Sequence, residues 1–162
     1  MPEIIRAFRD EKVVFVIIGD GPERGNLELR INPSTSLGAG NYELWNKVRM
    51  LGWIPNKELP MYYAIADVFI MPSDEEGFPR VLLEAMAMKV PFVASDAGGV
   101  KEIIPEVFRE YLCPAGEIDC FSANIKKLLL KNKGEIEELK RMEYEQAKVF
   151  GPENPLKIFK SF

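Results

Sequence analysis

Residues 13–21 read VVFVIIGDG, an uninterrupted β-branched and aromatic run closed by two glycines and an aspartate. A run this short cannot cross a bilayer, which takes about 20 apolar residues in a helix. It also lacks the alternation of a half-exposed strand, so it predicts a strand buried on both faces. The same pattern recurs in KVRMLGW (47–53), DVFIMPS (67–73) and PFVAS (91–95), and more weakly in EYLCPAG (110–116). The segments between carry apolar residues at helical spacing: PEIIRAFRD (2–10), NKELPMYYAIA (56–66), PRVLLEAMAM (79–88) and GGVKEII (98–104). Residues 119–149 read as two further helices and PENPLKIF (152–159) as a short last one. Between Pro22 and Trp45, Pro33, Ser34, Gly38 and Gly40 predict a long loop in which any helix is short or broken.

Buried strands alternating with helices define an α/β chain: a Rossmann-like open parallel sheet with helices on both faces. The 162 residues are expected to form one domain. In such sheets a ligand binds beyond the carboxyl ends of the strands. Attention therefore falls on Gly19–Pro22, Trp53–Asn56, Ser73–Pro79 and Asp96–Gly99.

Composition narrows the chemistry. A hydrophobic fraction of 47% with 28% charged residues is that of a globular protein, and a net charge of −4 argues against a nucleic-acid partner. The lysines between Lys126 and Lys148 are interleaved with glutamates, as on a solvated helix face. With no histidine, a zinc site lacks its usual nitrogen ligands, and no metal is expected. Cys113 and Cys120 fit neither a CxxC pair nor a disulfide framework, so both thiols are expected free, in a reducing compartment. The charged start MPEIIRAFRDEK is no signal peptide, and the expected location is cytoplasmic.

The segment EEGFPRVLLEAMA (75–87) holds the sharpest chemical signal. Pro79 presets a helix start, which leaves the amides of Arg80, Val81 and Leu82 without intrahelical partners and favours an anion there. Gly77 allows a ligand close to the backbone. Glu84 interrupts an apolar helix about one turn after Arg80, roughly 6 Å along the axis. Glu76 stands just before the helix, and a carboxylate can accept from two neighbouring hydroxyls at once. Two acids flanking a phosphate-seeking helix start suit a ligand with sugar rings on either side of its phosphates. The plainer explanation, a dipole-complementing acid and a solvated glutamate, stands beside it. Elsewhere, GDGPER departs from G-x-G-x-x-G, SDEE reads as solvated acids, and the glycines of DAGGV fit either a phosphate cradle or a tight turn.

EEGFPRVLLEAMAMKVPFVASDAGGVKEII resembles the donor-binding segment of family 4 glycosyltransferases, which have the GT-B fold. Glu76 and Glu84 match that family's E-x7-E motif. VIIGDGPE, VRMLGWIPNKELPMYYAIADVFIMPS and PAGEID match further blocks in order, over roughly residues 4–130. The resemblance implies transfer of a sugar from a nucleotide diphosphate donor, usually with retention, and with neither metal nor cofactor. It implies that Glu84 holds the ribose hydroxyls and that Glu76, the catalytic acid of the pair, meets the transferring sugar. Gly77, Phe78 and Pro79 line that sugar, and the helix start at Arg80, with the amides of Val81 and Leu82, receives the diphosphate. The backbone near Ile54 meets the base, with Gly19 and Gly21 giving it room. The lack of an Asp-x-Asp triplet also favours GT-B over the metal-dependent GT-A transferases.

The chain departs from the pattern in several places. The helix ends at Lys89 where the family usually has glycine, so a left-handed cap there is strained by roughly 1 kcal/mol. Gly25–Trp45 is longer and more broken than the family's helix. The family's opening strand, the loop with an arginine and a lysine for the diphosphate, the acceptor-binding N-terminal domain and its histidine have no counterpart here. The chain thus reads as the C-terminal, donor-binding half of such an enzyme, feeble in nucleotide binding and inactive alone. The full-length enzyme is expected to be cytoplasmic or peripheral to a membrane. Leu156, Phe159 and Phe162 form an apolar stripe expected to lie uncovered, in an unpacked helix over 153–162 or a dimer contact. A non-catalytic nucleotide-binding or regulatory module, a subunit needing a separate acceptor-domain chain, and a non-transferase GT-B enzyme such as an epimerase are the alternatives.

Overall fold

The computed structural model describes residues 1–31, 46–75 and 77–150. The chain forms two compact units, Met1–Pro55 and Asn56–Phe162.

In the first unit, α1 (Pro2–Ala7) leads to β1 (Phe15–Ile18), then α2 (Arg24–Ile31) and β2 (Val48–Gly52). The strands are parallel, with Phe15 opposite Val48, Val16 opposite Arg49 and Ile17 opposite Met50. The Gly19 N–H extends the pairing by donating to the Gly52 carbonyl at 2.8 Å. Ile4, Ile5 and Phe8 are buried, Phe8 meets Phe15 edge to face at 5.8 Å, and Glu3 pairs with Arg30 to tie α1 to α2. The short helix allowed after Pro22 is α2.

Expected burial of VVFVIIGDG on both faces is corrected here. Phe15 is buried, but Val16 is 46% exposed and Val14 lies outside the strand. Among the described residues β1 pairs with β2 alone, so it is an edge strand of a two-stranded sheet rather than a central one.

The second unit holds the other three strands, β3 (Phe69–Met71), β4 (Phe92–Ser95) and β5 (Leu112–Cys113), parallel in the order β3-β4-β5. The sheet expected as one is thus two parallel sheets among the described residues. A 3₁₀ turn at Asn56–Glu58 opens α3 (Leu59–Ala64), with Pro60 in its first turn where a missing N–H costs nothing. Next come α4 (Arg80–Ala87), α5 (Val100–Ile103), a 3₁₀ segment Glu106–Tyr111 that the sequence pattern did not reveal, α6 (Ile118–Leu130) and α7 (Lys133–Phe150). β4 is buried along its whole length, the pattern of a central parallel strand. Helices α4 and α6 pack on it, Phe92 meets Phe108 and Tyr111 edge to face, and α7 packs along α4. The stripe Leu156, Phe159 and Phe162 and the helix expected near 153–162 lie outside the described residues.

The end of α4 keeps the left-handed turn despite its lysine. Lys89 has φ +59°, the one positive φ among described non-glycine residues. Its N–H donates to Met86 and that of Val90 to Ala85, the paired bonds of a Schellman turn. The Lys89 ammonium lies 4.9 Å from the centroid of Tyr144 on α7, a cation–π contact that offsets part of the strain.

The cysteines are not free. Cys113, ending β5, and Cys120, in α6, form a disulfide with Cα atoms 5.7 Å apart. Gly116, at φ +79°, reverses the chain between them and brings the pair within bridging distance. The bridge removes the argument for a reducing compartment, since disulfides persist in oxidising ones. No helix among the described residues is long and apolar enough to cross a membrane.

Candidate functional site

Beyond the carboxyl end of β3, the chain runs through Ser73–Pro79 into α4. Pro79 occupies the N-cap and α4 starts at Arg80. Two of the three amides expected to lack intrahelical partners meet carbonyls just outside α4 instead. The Arg80 N–H donates to Phe78 O at 2.9 Å, and those of Leu82 and Leu83 to Pro79 O at 3.1 and 3.3 Å. Pro79 at the cap supplies a carbonyl to the first turn and closes it tightly. Among the described residues only the Val81 N–H of the three finds no acceptor. The site's positive end is therefore one amide without an acceptor among the described residues, plus the helix dipole.

Glu84 sits on the buried face of α4 between Leu83 and Ala85, 7% exposed. Its Oε2 accepts a hydrogen bond of 3.1 Å from the Tyr63 hydroxyl of α3, which also lies 3.3 Å from the Val81 carbonyl. Burial raises the Glu84 pKa above the ordinary carboxylate range, against the opposing pull of the Tyr63 hydrogen bond and of Arg80. The solvated-glutamate explanation thus fails for Glu84. Burial, with the Glu84 charge beside it, pushes the Tyr63 phenol far up, so the phenol remains a donor at any physiological pH.

The loop before α4 is held by backbone. A Cβ added at Gly99 would drive into the Gly77 carbonyl oxygen, far inside van der Waals contact. Gly98 is left-handed at φ +52°, and Asp96 pairs with Lys101. The glycines of DAGGV are therefore accounted for by a tight turn packed against Gly77. Phe78 is 55% exposed beside them and Pro79 is buried. Glu76 lies outside the described residues, and Asp74 and Glu75 are exposed. Among the described residues no acidic or sulfur cluster could hold a metal ion.

Gly19, Gly21 and Ile54 belong to the first unit. Gly19 has φ +126°, which a side chain would strain, and it lines a cavity of about 390 Å³ with Gly21, Ile18, Arg24 and Met50. A Cβ on Gly21 would meet open space, and Ile54, after β2, is buried.

Sequence reasoning missed Tyr63 and the contact of Gly99 with Gly77. Tyr63 read as one more aromatic of an amphipathic helix. The hint was its polar tip, but nothing local pairs it with an acid 21 residues later.

The family profile described as "Glycosyl transferases group 1" matches residues 1–149. The chain belongs to the group 1 glycosyl transferase family. It is 33% identical over 110 residues to the amylovoran biosynthesis glycosyltransferase AmsK of Erwinia amylovora, covering 64% of this chain and 26% of that protein. It is 33% identical over 108 residues to the Escherichia coli UDP-Gal:alpha-D-GlcNAc-diphosphoundecaprenol alpha-1,3-galactosyltransferase, covering 67% of this chain and 26% of that enzyme. Among solved structures, a Rickettsia africae glycosyltransferase superposes with a TM-score of 0.76 at 20% identity over 98% of this chain and 43% of its own. Anabaena Alr3699/HepE in complex with UDP and glucose gives 0.74 at 22% identity, over 98% and 42%. These superpositions place the glycosyltransferase chain in the GT-B class of α/β folds. The matched stretch is about a quarter of the length of these sequence relatives and under half of the solved chains.

Proposed function

We propose that this glycosyltransferase chain is the donor-binding half of a retaining, metal-independent enzyme of the family 4 type, which moves a sugar from a nucleotide diphosphate donor to an acceptor hydroxyl. The observation that carries this reading is Glu84, a carboxylate buried on an apolar helix one turn after the Val81 amide, which has no acceptor among the described residues. A buried acid without a ligand to receive is unfavourable. A ribose offers two adjacent hydroxyl donors that satisfy it.

In this mechanism Glu84 accepts hydrogen bonds from the ribose hydroxyls. The Val81 N–H and the α4 dipole receive the diphosphate and stabilise the charge that grows on it as the donor's C1–O bond breaks. Arg80 adds a cation one turn from Glu84. Gly77, Phe78 and Pro79 border the transferring sugar, which Glu76 orients. The acceptor oxygen bonds to C1 on the face the diphosphate leaves, and its proton passes to the departing phosphate. The acceptor side comes from a further domain or partner chain.

The 162-residue polypeptide by itself binds nucleotide in the millimolar range and transfers no sugar, since each charge-assisted hydrogen bond it lacks weakens binding by about 1.5–3 kcal/mol. Titration with UDP, GDP and ADP, followed by amide shifts, tests the reading. One of them is expected to move the signals of Val81 and Glu84, and no movement there with any of them refutes the site. Donor-dependent glycoside formation by the polypeptide alone refutes its inactivity.

A further inference from the structure

We propose that Tyr63 is a positioning residue for nucleotide binding: its phenol fixes the Glu84 carboxylate so that the remaining lone pairs face a vicinal diol. The inference rests on the reading that Glu84 holds the ribose.

Tyr63 reaches α4 from a separate helix, and its ring is steadied by Phe69 of β3, 5.8 Å away. Its oxygen sits between two acceptors, Glu84 Oε2 at 3.1 Å and Val81 O at 3.3 Å. A phenol has one proton to donate. The nearer and charged acceptor takes it, while the Val81 carbonyl marks the same hydroxyl against the first turn of α4. One phenol thus links the carboxylate to the turn that carries the Val81 amide.

The acceptor count suits a diol. An ionised carboxylate offers about four lone-pair sites. Tyr63 occupies one, which breaks the equivalence of the two oxygens and stops the carboxylate from rotating. Two of the remainder then serve two adjacent hydroxyls. The phenol also favours the ionised form, against burial, which favours the proton. Among the described residues Tyr63 from α3 and Arg80 from α4 itself are the groups acting on the Glu84 charge. Of the titratable groups on α7, which packs on α4, Glu143 faces the Phe92 amide of β4 and Tyr144 faces Lys89 and Lys148.

UDP and 2′,3′-dideoxy-UDP are titrated into the chain and into Tyr63→Phe and Glu84→Gln, from pH 5.5 to 8, with affinities read from amide shifts. Tyr63→Phe is expected to weaken UDP by about tenfold, the value of one hydrogen bond to a charged group. It is expected to leave dideoxy-UDP unchanged, and to raise the pH below which UDP affinity falls. Equal weakening of both nucleotides marks a merely structural role and overturns the proposal. So does unchanged UDP binding by Tyr63→Phe while Glu84→Gln loses it, an outcome that leaves the ribose reading intact. If Glu84→Gln binds UDP as the unaltered chain does, or if that chain binds none of UDP, GDP and ADP (the last two titrated with their dideoxy forms in the same way), the ribose reading itself falls.

Discussion

Glu143 offers a measurement that needs no ligand. It lies on α7 with no exposed surface, and neither carboxylate oxygen meets a hydrogen-bond partner among the described residues. Burial pushes its pKa up to about 9, against the smaller pull of the Phe92 amide dipole, which comes short of a formed hydrogen bond, and of the Lys140 charge. The folded state therefore holds this proton where the unfolded chain, titrating near 4.5, has released it. Stability must then fall as the pH rises from about 4.5 to about 9 and level off beyond. At 1.36 kcal/mol per pKa unit, the loss between pH 4.5 and pH 7 is about 3 kcal/mol. Glu143→Gln has nearly the same shape and no proton to lose. Urea unfolding followed by circular dichroism at pH 5, 6, 7 and 8, at fixed ionic strength, reads the difference between the two proteins. Other carboxylates contribute alike to both and cancel. The variant is expected to match the parent near pH 5 and to exceed it by about 3 kcal/mol or more at pH 8. Parallel stability profiles would refute the reasoning, because they would mean that Glu143 is ionised and solvated in the fold.

Three further outcomes are expected. Gly99→Ala should lower the melting temperature by several degrees, a cost of about 1–3 kcal/mol, and weaken nucleotide binding, because the new methyl displaces the Gly77 carbonyl. Thiol titration should find no reactive cysteine before reduction and two after, and the double change Cys113→Ser with Cys120→Ser should cost about 2.5 kcal/mol for so short a loop, read by urea unfolding. Lys89→Gly should exceed Lys89→Ala in stability by about 1 kcal/mol in the same assay, since both lose the Tyr144 contact but only glycine relieves the left-handed backbone.

The order of strands and helices was legible because each strand is an apolar run and each helix has its own period. PFVAS becomes the fully buried β4, and residues 119–149 divide into α6 and α7. Glu84 was legible for the opposite reason, as an acid where packing calls for a hydrophobe. What stayed hidden depends on residues distant in sequence. Tyr63 needs α3 beside α4, and Gly99 needs the β4 loop against the β3 loop. The disulfide needs the reversal at Gly116, and Glu143 passed as one more glutamate of a charged helix until α7 was laid along α4. The partners of two helix-start amides stayed hidden because the Phe78 and Pro79 carbonyls reach Arg80 and Leu82 from outside α4.

The contact of Gly99 with Gly77 is backbone against backbone, so the loop's place in space owes nothing to the side chain that follows it. Phe78, projecting from that loop with more than half its surface exposed, is therefore uncoupled from the loop's own fixation. A residue so placed can be exchanged for another shape or polarity without moving Gly77 or the start of α4. Under the donor-binding role proposed above, a change at position 78 alters the sugar contact while the start of α4 stays where it is.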